Sequence, residues 1–307
     1  MKQVDIDIKS VQDKIEQNTK SKAFQTIYPF TTENCASYIK NLQVNNCSVL
    51  TVGSSADQVI HAAKDGAKDI TVCDISPFTR YYYYLKKSAI LQLSPAEFDL
   101  FLYTSPLDKH LFDKLTVHLE NEDQESAIFW QTLLTEYDQT TLYKALFTRD
   151  VLTASTIKKV NSYLQNDQQY HLVREKIQDL HPTFIKGDIL QANQYLTTQS
   201  YDRIILSNVS QYLEYFYPPH SDYHQAFFNA FLQLDDHLNE NGIIQLAYLY
   251  SFAKSDIFQE DPFLAIQNFT QLYLTFSPYS LDIEWIDSVN EQYHKPDAVV
   301  TYTKHRK

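Results

Sequence analysis

The chain has 307 residues, is 44% hydrophobic and carries a formal net charge of −12. That length suits one large domain, or a core with a sizeable insertion, and no apolar run approaches the ~20 residues of a membrane span. The acidic balance repels phosphate backbones and anionic headgroups, so the expected partners include no nucleic acid and no stable membrane insertion.

The first residues, "MKQVDIDIKSVQDKIEQNTK", are polar and lack an apolar signal core, which predicts a cytoplasmic location. Cys35, Cys47 and Cys73 form no CxxC pair and are odd in number, so they read as free thiols. From Lys9 to Leu42 the pattern is helical, interrupted at "IYPFTTEN" by Pro29. Thr31 or Thr32 is the expected N-cap of a helix running to about Leu42. Ser48 to Val52 reads as a short buried strand. Ala56 to Asp65 reads as a helix with small residues, Ala62 and Ala63, facing a sheet, and with Gly66 at its C-terminal cap. Ile70 to Asp74 is the next strand. Pro77 opens a helix bearing "FTRYYYYLKKSAILQL", whose spacing predicts tyrosines on several faces of one helix.

Residues 94 to about 168 interrupt this alternation with a polar, helical stretch. It then resumes with a helix over Tyr170 to Leu180 and a strand in "PTFIKGDI". Next come an apolar strand in "SYDRIILSN" that exits on Ser207 and Asn208, and a helix over Asp222 to Leu238. A buried strand, "IIQLAYLY", follows the Asn241-Gly242 turn. "LDIEWID" and "DAVVTYTK" have no helix between them and pair most simply as a hairpin. Strands alternating with helices predict an α/β fold: a Rossmann-like, doubly wound, mostly parallel sheet with a C-terminal antiparallel edge hairpin. The expected parts are an N-terminal helical cap over 1–46, a core over 47–93 and 169–307, and a helical insertion over 94–168.

In open parallel sheets the ligand lies beyond the carboxyl ends of the strands. After the first strand stand Gly53, Ser54, Asp57 and Gln58. After the second come Asp74 and Ile75, after the third Asp188 and Ile189, and after the fourth Ser207 and Asn208. A pyrophosphate-binding turn needs further glycines for close backbone approach, and here those places hold serine and aspartate. Asp57 at a helix start repels phosphate, and no GK[ST] is present. The expected ligand therefore lacks phosphate. It has a ribose for Asp74, an ammonium for Asp57 or a nearby carbonyl, and a purine edge for Asp188 and the Ile189 backbone. S-adenosylmethionine has all of these parts.

The element order, with "VLTVGSSADQ" in place of the first motif and "VCDIS" supplying the ribose acid, resembles the class I S-adenosylmethionine-dependent methyltransferase fold. The stretch from Thr51 to Phe98 is further similar to the betaine-lipid 3-amino-3-carboxypropyltransferases and their bacterial relatives. "DRIILSNVSQYLE" and "IYPFTTEN" resemble other segments of that family. The resemblance implies transfer of a methyl or a 3-amino-3-carboxypropyl group from S-adenosylmethionine, here to a small, soluble acceptor on the argument from charge.

Such transfers need alignment and, for an OH or NH nucleophile, a base. Asn208 and Tyr212 are the first catalytic candidates. Tyr28, Thr31, Glu33 and Asn34 come from an N-terminal segment expected to fold over the cofactor, with Tyr28 and Thr31 touching it. His220, Asp222 and His224 lack a third distant ligand, and Asp222 reads better as a helix cap than as a metal ligand, so no metal is expected. The rival reading is a binding module of the same fold that has lost its chemistry along with the loop glycines. A nucleotide-dependent oxidoreductase is disfavoured by the same loop.

Overall fold

The computed structural model describes residues 2–17, 26–104, 106–148, 153–196, 199–209, 223–247, 279–286 and 297–305. Seven strands form one sheet: β1 (Ser48–Thr51), β2 (Asp69–Asp74), β3 (Thr183–Lys186), β4 (Tyr201–Ile205), β5 (Leu238–Leu246), β6 (Tyr279–Ile286) and β7 (Asp297–Lys304). Their order is β3-β2-β1-β4-β5-β7-β6. The first five strands are parallel, with Leu50 level with Thr71 on one side and Ile204 on the other. The terminal hairpin forms as expected, and its second strand, β7, is the one that enters against β5. β7 therefore lies antiparallel inside the sheet and β6 takes the edge.

Successive residues of the central strands feed two cores, as the period of two requires. Val49, Val72 and Ile205 enter one, and Leu50, Cys73 and Ile204 the other. A parallel sheet covered on both faces can carry such continuous apolar strands. Cys35 and Cys73 are buried free thiols and Cys47 is half-buried.

The helices on the larger core are α1 (Gln3–Glu16), α2 (Cys35–Asn41), α3 (Asp57–Lys64) and α4 (Phe78–Gln92). Asn34, rather than Thr31 or Thr32, caps α2, its side chain accepting from the Ser37 N–H at 3.3 Å. Gly66 follows α3 with φ +91°, a value that favours glycine. α4 buries an unbroken run from Tyr81 to Ile90, so the tyrosines do occupy several faces, all of them covered. The far side of α4 is covered by α6 (Lys109–Glu122) and α7 (Gln124–Glu136) of the insertion, which begins with α5 (Pro95–Asp99) and continues through α8 (Gln139–Leu146) and α9 (Ala154–Val160). Tyr81 stacks on Phe129 at 4.3 Å between ring centroids, and Trp130 Nε1 donates to the Tyr81 carbonyl at 2.9 Å.

α1 packs on α7 and α8, and the Tyr81 hydroxyl donates to Asp7 at 2.8 Å. The N-terminal helix and the insertion thus form one layer over α4. α10 (Asp167–Ile177) returns the chain to β3. The short α11 (Ala192–Tyr195) and α12 (Tyr223–Asp236) cover the opposite face. No helix among the described residues is long and apolar enough to cross a membrane.

Candidate active site

The loop after β1 makes a tight turn, with the Ala56 N–H donating to the Gly53 carbonyl at 2.8 Å. Ser54 and Ala56 hold φ of 41° and 67°, left-handed values that glycine takes freely and other residues resist. The turn therefore keeps a glycine-type backbone without the glycines. Gly53 has a steric reason to be glycine: a Cβ there would stand 2.7 Å from Thr79 Cβ on α4.

The loop closes on Asp74 at the end of β2. Asp74 Oδ2 accepts from the N–H of Gly53 at 2.9 Å and of Ser54 at 3.0 Å, and Oδ1 accepts from Ser76 at 2.8 Å. A carboxylate offers about four acceptor positions, so one remains. Burial raises the Asp74 pKa, against the three backbone donors that lower it.

A cavity of about 440 Å³ opens over the carboxyl ends of β1 to β4, within the roughly 300–1,000 Å³ of small-molecule sites. Asp74, Ile75, Asp188 and Ile189 line one end, and Ser207 and Asn208 the other, with Ser54 also on the wall. Tyr28, Thr31 and Glu33 line it from the N-terminal side. The insertion reaches it through Thr148, whose N–H donates to the Ile27 carbonyl at 2.8 Å, while the Ile27 N–H donates to Leu146 at 3.0 Å. Asp188 Oδ1 accepts from the Leu190 N–H at 2.9 Å, and burial raises its pKa.

Asp57 and Gln58 are corrected: neither lines the cavity. Asp57 is fully buried and saturated. Its Oδ1 accepts from Lys86 Nζ at 2.6 Å and the Tyr163 hydroxyl at 2.7 Å, and its Oδ2 from the Thr31 N–H at 2.6 Å and Ser55 Oγ at 2.9 Å. All four acceptor positions are taken, so none is left for a ligand's ammonium. Lys86 also donates to the carbonyls of Pro29 and Ser55, both at 3.0 Å, and lies 4.4 Å from the centre of the Phe30 ring. Asp57 is the junction of the β1 loop, α4, the N-terminal segment and the insertion. Gln58 is buried beside Glu33, its amide outside hydrogen-bond geometry. Gly53 acts through its N–H on Asp74 and its contact with α4, not through the cavity wall.

At the β4 end, Ser207 has φ 55° and donates through Oγ to Glu33 Oε1 at 2.5 Å. The Tyr38 hydroxyl donates to Glu33 Oε2 at 2.8 Å. Glu33 is 3% exposed, and burial raises its pKa. Asn208 lines the cavity beside them, whereas Tyr212, the other catalytic candidate, lies outside the described residues, as do His220 and Asp222. Sequence reasoning placed Glu33 among rim groups but did not join it to Ser207, 174 residues away. No local signal carries that pairing.

The donor set fits S-adenosylmethionine. Three carboxylates line the cavity, Glu33 buried and Asp74 and Asp188 half-buried, and no Lys, Arg or His does so among its described lining residues. Asp74 keeps one free acceptor position at the end of β2, where the fold holds a ribose.

No protein-family model and no curated protein matches the chain. Solved structures do. One is the ribosomal protein L11 methylase of Lactobacillus delbrueckii subsp. bulgaricus, at 13% identity over 89% of this chain and 77% of that one, with a TM-score of 0.37. Another is a Streptococcus mutans protein provisionally described as a methyltransferase and complexed with S-adenosylhomocysteine, at 11% identity over 86% and 47%, TM-score 0.39. A third is an rRNA methylase from Streptococcus thermophilus, at 6% identity over 87% and 92%, TM-score 0.34. The chain spans less than half the length of two Streptococcus mutans structures it matches. The expectation of a small-molecule acceptor and no nucleic-acid partner is corrected: it is not what these neighbours are described as acting on, an rRNA methylase and a ribosomal protein methylase being among them. Net charge sums over a whole surface, and a local patch is free to differ from it.

Proposed function

We propose that this protein is an S-adenosylmethionine-dependent methyltransferase. The observation that carries the reading is the acidic cavity over the ends of β1 to β4, with no cationic side chain among its described lining residues. Such a cavity repels phosphate and favours a cationic nucleoside. Asp74 accepts from the ribose hydroxyls through its remaining position, and Asp188 with the Ile189 backbone meets the purine edge. When bound, the sulfonium supplies the electrophilic carbon. Ser54 shapes the wall beside it, Tyr28 and Thr31 close the cavity from the N-terminal side, and Ser207 and Asn208 orient groups at the β4 end.

The resemblance of Thr51 to Phe98 to the aminocarboxypropyltransferases favours a second outcome, transfer of the chain carbon instead of the methyl. The by-product separates the two. Incubation with S-adenosylmethionine and a cell extract, against a control lacking the protein, is expected to yield S-adenosylhomocysteine for methyl transfer. Methylthioadenosine marks aminocarboxypropyl transfer. Protection from thermal unfolding by NAD(H), with none by S-adenosylmethionine, would overturn both.

A further inference from the structure

Glu33 lines the cavity yet is 3% exposed. Buried carboxylates are paired, because an isolated charge in a low-dielectric setting is costly. The other buried carboxylates of this layer obey that rule. Asp57 has Lys86 at 2.6 Å, and Asp7 has Lys186 at 3.8 Å together with the Tyr81 hydroxyl. The groups around Glu33 are all neutral: the Ser207 and Tyr38 hydroxyls that donate to it, the Asn208 backbone, and the Gln58 amide beside it. Ser207 and Tyr38 fix one oxygen each, so the carboxylate is oriented without being neutralised.

Strand order sets what Glu33 faces. Asp188 follows β3, Asp74 ends β2, the Gly53 loop follows β1, and Ser207 with Glu33 stands at the end of β4, and these four strands are consecutive in the sheet. Neighbouring strands are ~4.8 Å apart, so the β4 exit lies roughly 10 Å beyond Asp74. A nucleoside with its base at Asp188 and its ribose at Asp74 sends its 5′ substituent across the β1 loop towards Glu33. Asp57, the other acid near that path, has no acceptor position left.

We propose that Glu33 pairs with a primary ammonium on the ligand's 5′ substituent, which for S-adenosylmethionine is the α-amino group of its amino acid tail. This inference rests on the nucleoside reading of the cavity. It assigns Glu33, delivered by the N-terminal segment, to the tail of the cofactor rather than to a proton on the acceptor.

The test is calorimetric titration of S-adenosylhomocysteine and of methylthioadenosine, which lacks the amino acid tail, into the wild type and Glu33→Gln. The expected result is a tenfold or greater loss for S-adenosylhomocysteine in Glu33→Gln, with methylthioadenosine unchanged. Equal loss of both ligands, or loss of neither, would overturn the assignment while leaving the nucleoside site intact. Failure of the wild type to bind either ligand would overturn the nucleoside reading and the assignment with it. Should Glu33→Gln not fold, the wild type alone decides: the desamino analogue of S-adenosylhomocysteine is expected to bind at least tenfold more weakly than the parent, and equal affinities would overturn the pairing.

Discussion

Lys86 Nζ stands 2.6 Å from Asp57 Oδ1, and both side chains are fully buried. The pair turns a residue that begins the helix after the first loop from a candidate ligand into a structural junction. Its ring of partners joins four segments that are distant in the chain: the N-terminal segment at Pro29 to Thr31, the β1 loop, α4, and the insertion through Tyr163.

Removing one partner of such a pair leaves an uncompensated buried charge. Lys86→Met is expected to destabilise the fold by about 3–5 kcal/mol, measured by urea unfolding. The double variant Asp57→Asn with Lys86→Met should recover part of that loss. A single-variant cost below about 1 kcal/mol would mean that the pair is solvated and not a junction.

Ser54 carries a φ of 41° that costs a non-glycine residue about 1–2 kcal/mol. Ser54→Gly relieves that strain, and after the extra chain entropy of glycine the net gain is expected to be up to about 1 kcal/mol. Gly53→Ala runs the other way: its Cβ meets Thr79, and a loss of about 1–3 kcal/mol is expected. Thermal melts of the two variants should move in opposite directions.

His61 on α3 is fully buried, with neither ring nitrogen hydrogen-bonded among the described residues, and burial pushes its pKa down to about 4 from 6.5. The unfolded chain therefore binds the proton first, and this residue's contribution is lost as pH falls from about 6.5 towards about 4. By pH 5 the loss is about 2 kcal/mol. Asp74, Asp188 and Glu33, whose pKa values are raised, act in the opposite sense, so the comparison must isolate the histidine. Relative to the wild type, His61→Leu is expected to gain about 2 kcal/mol in urea unfolding on going from pH 7 to pH 5. A pH-independent difference would contradict the assignment.

The three cavity carboxylates are held above their ordinary pKa values by burial. A cationic ligand favours their ionised forms, so its binding releases protons and tightens as pH rises through those values. The affinity for S-adenosylmethionine is expected to increase as pH rises above the ordinary carboxylate range of about 4, more steeply than that for S-adenosylhomocysteine, which lacks the sulfonium charge. Parallel pH profiles in calorimetry would show that the carboxylates do not sense that charge.

Much of the fold is legible in the sequence. Ser48 to Val52 and Ile70 to Asp74 read as strands because Val49, Leu50 and Val72 are apolar runs bounded by turns, and both strands form within a residue of those limits. Asp74 was legible as the acid at the strand end, and it lines the cavity. Asp57 was not legible as a junction, because Lys86, Tyr163 and Thr31 reach it from across the chain and local spacing carries no trace of them. α2 starts later than its threonines suggest because Asn34 takes the cap. The α4 tyrosines were legible as helical, but what covers them was not: the insertion reads only as polar helices, and its apolar stripe, with Phe129 and Trp130, is what α4 buries.

The central claim is that the acidic cavity takes S-adenosylmethionine with Asp74 on its ribose. Calorimetric titration of S-adenosylmethionine into the wild type and Asp74→Asn tests it most directly. The expected result is saturable binding by the wild type that Asp74→Asn weakens tenfold or more, about the 1.4 kcal/mol of a charge-assisted hydrogen bond. No binding to the wild type at millimolar cofactor, or equal binding by both proteins, would contradict it.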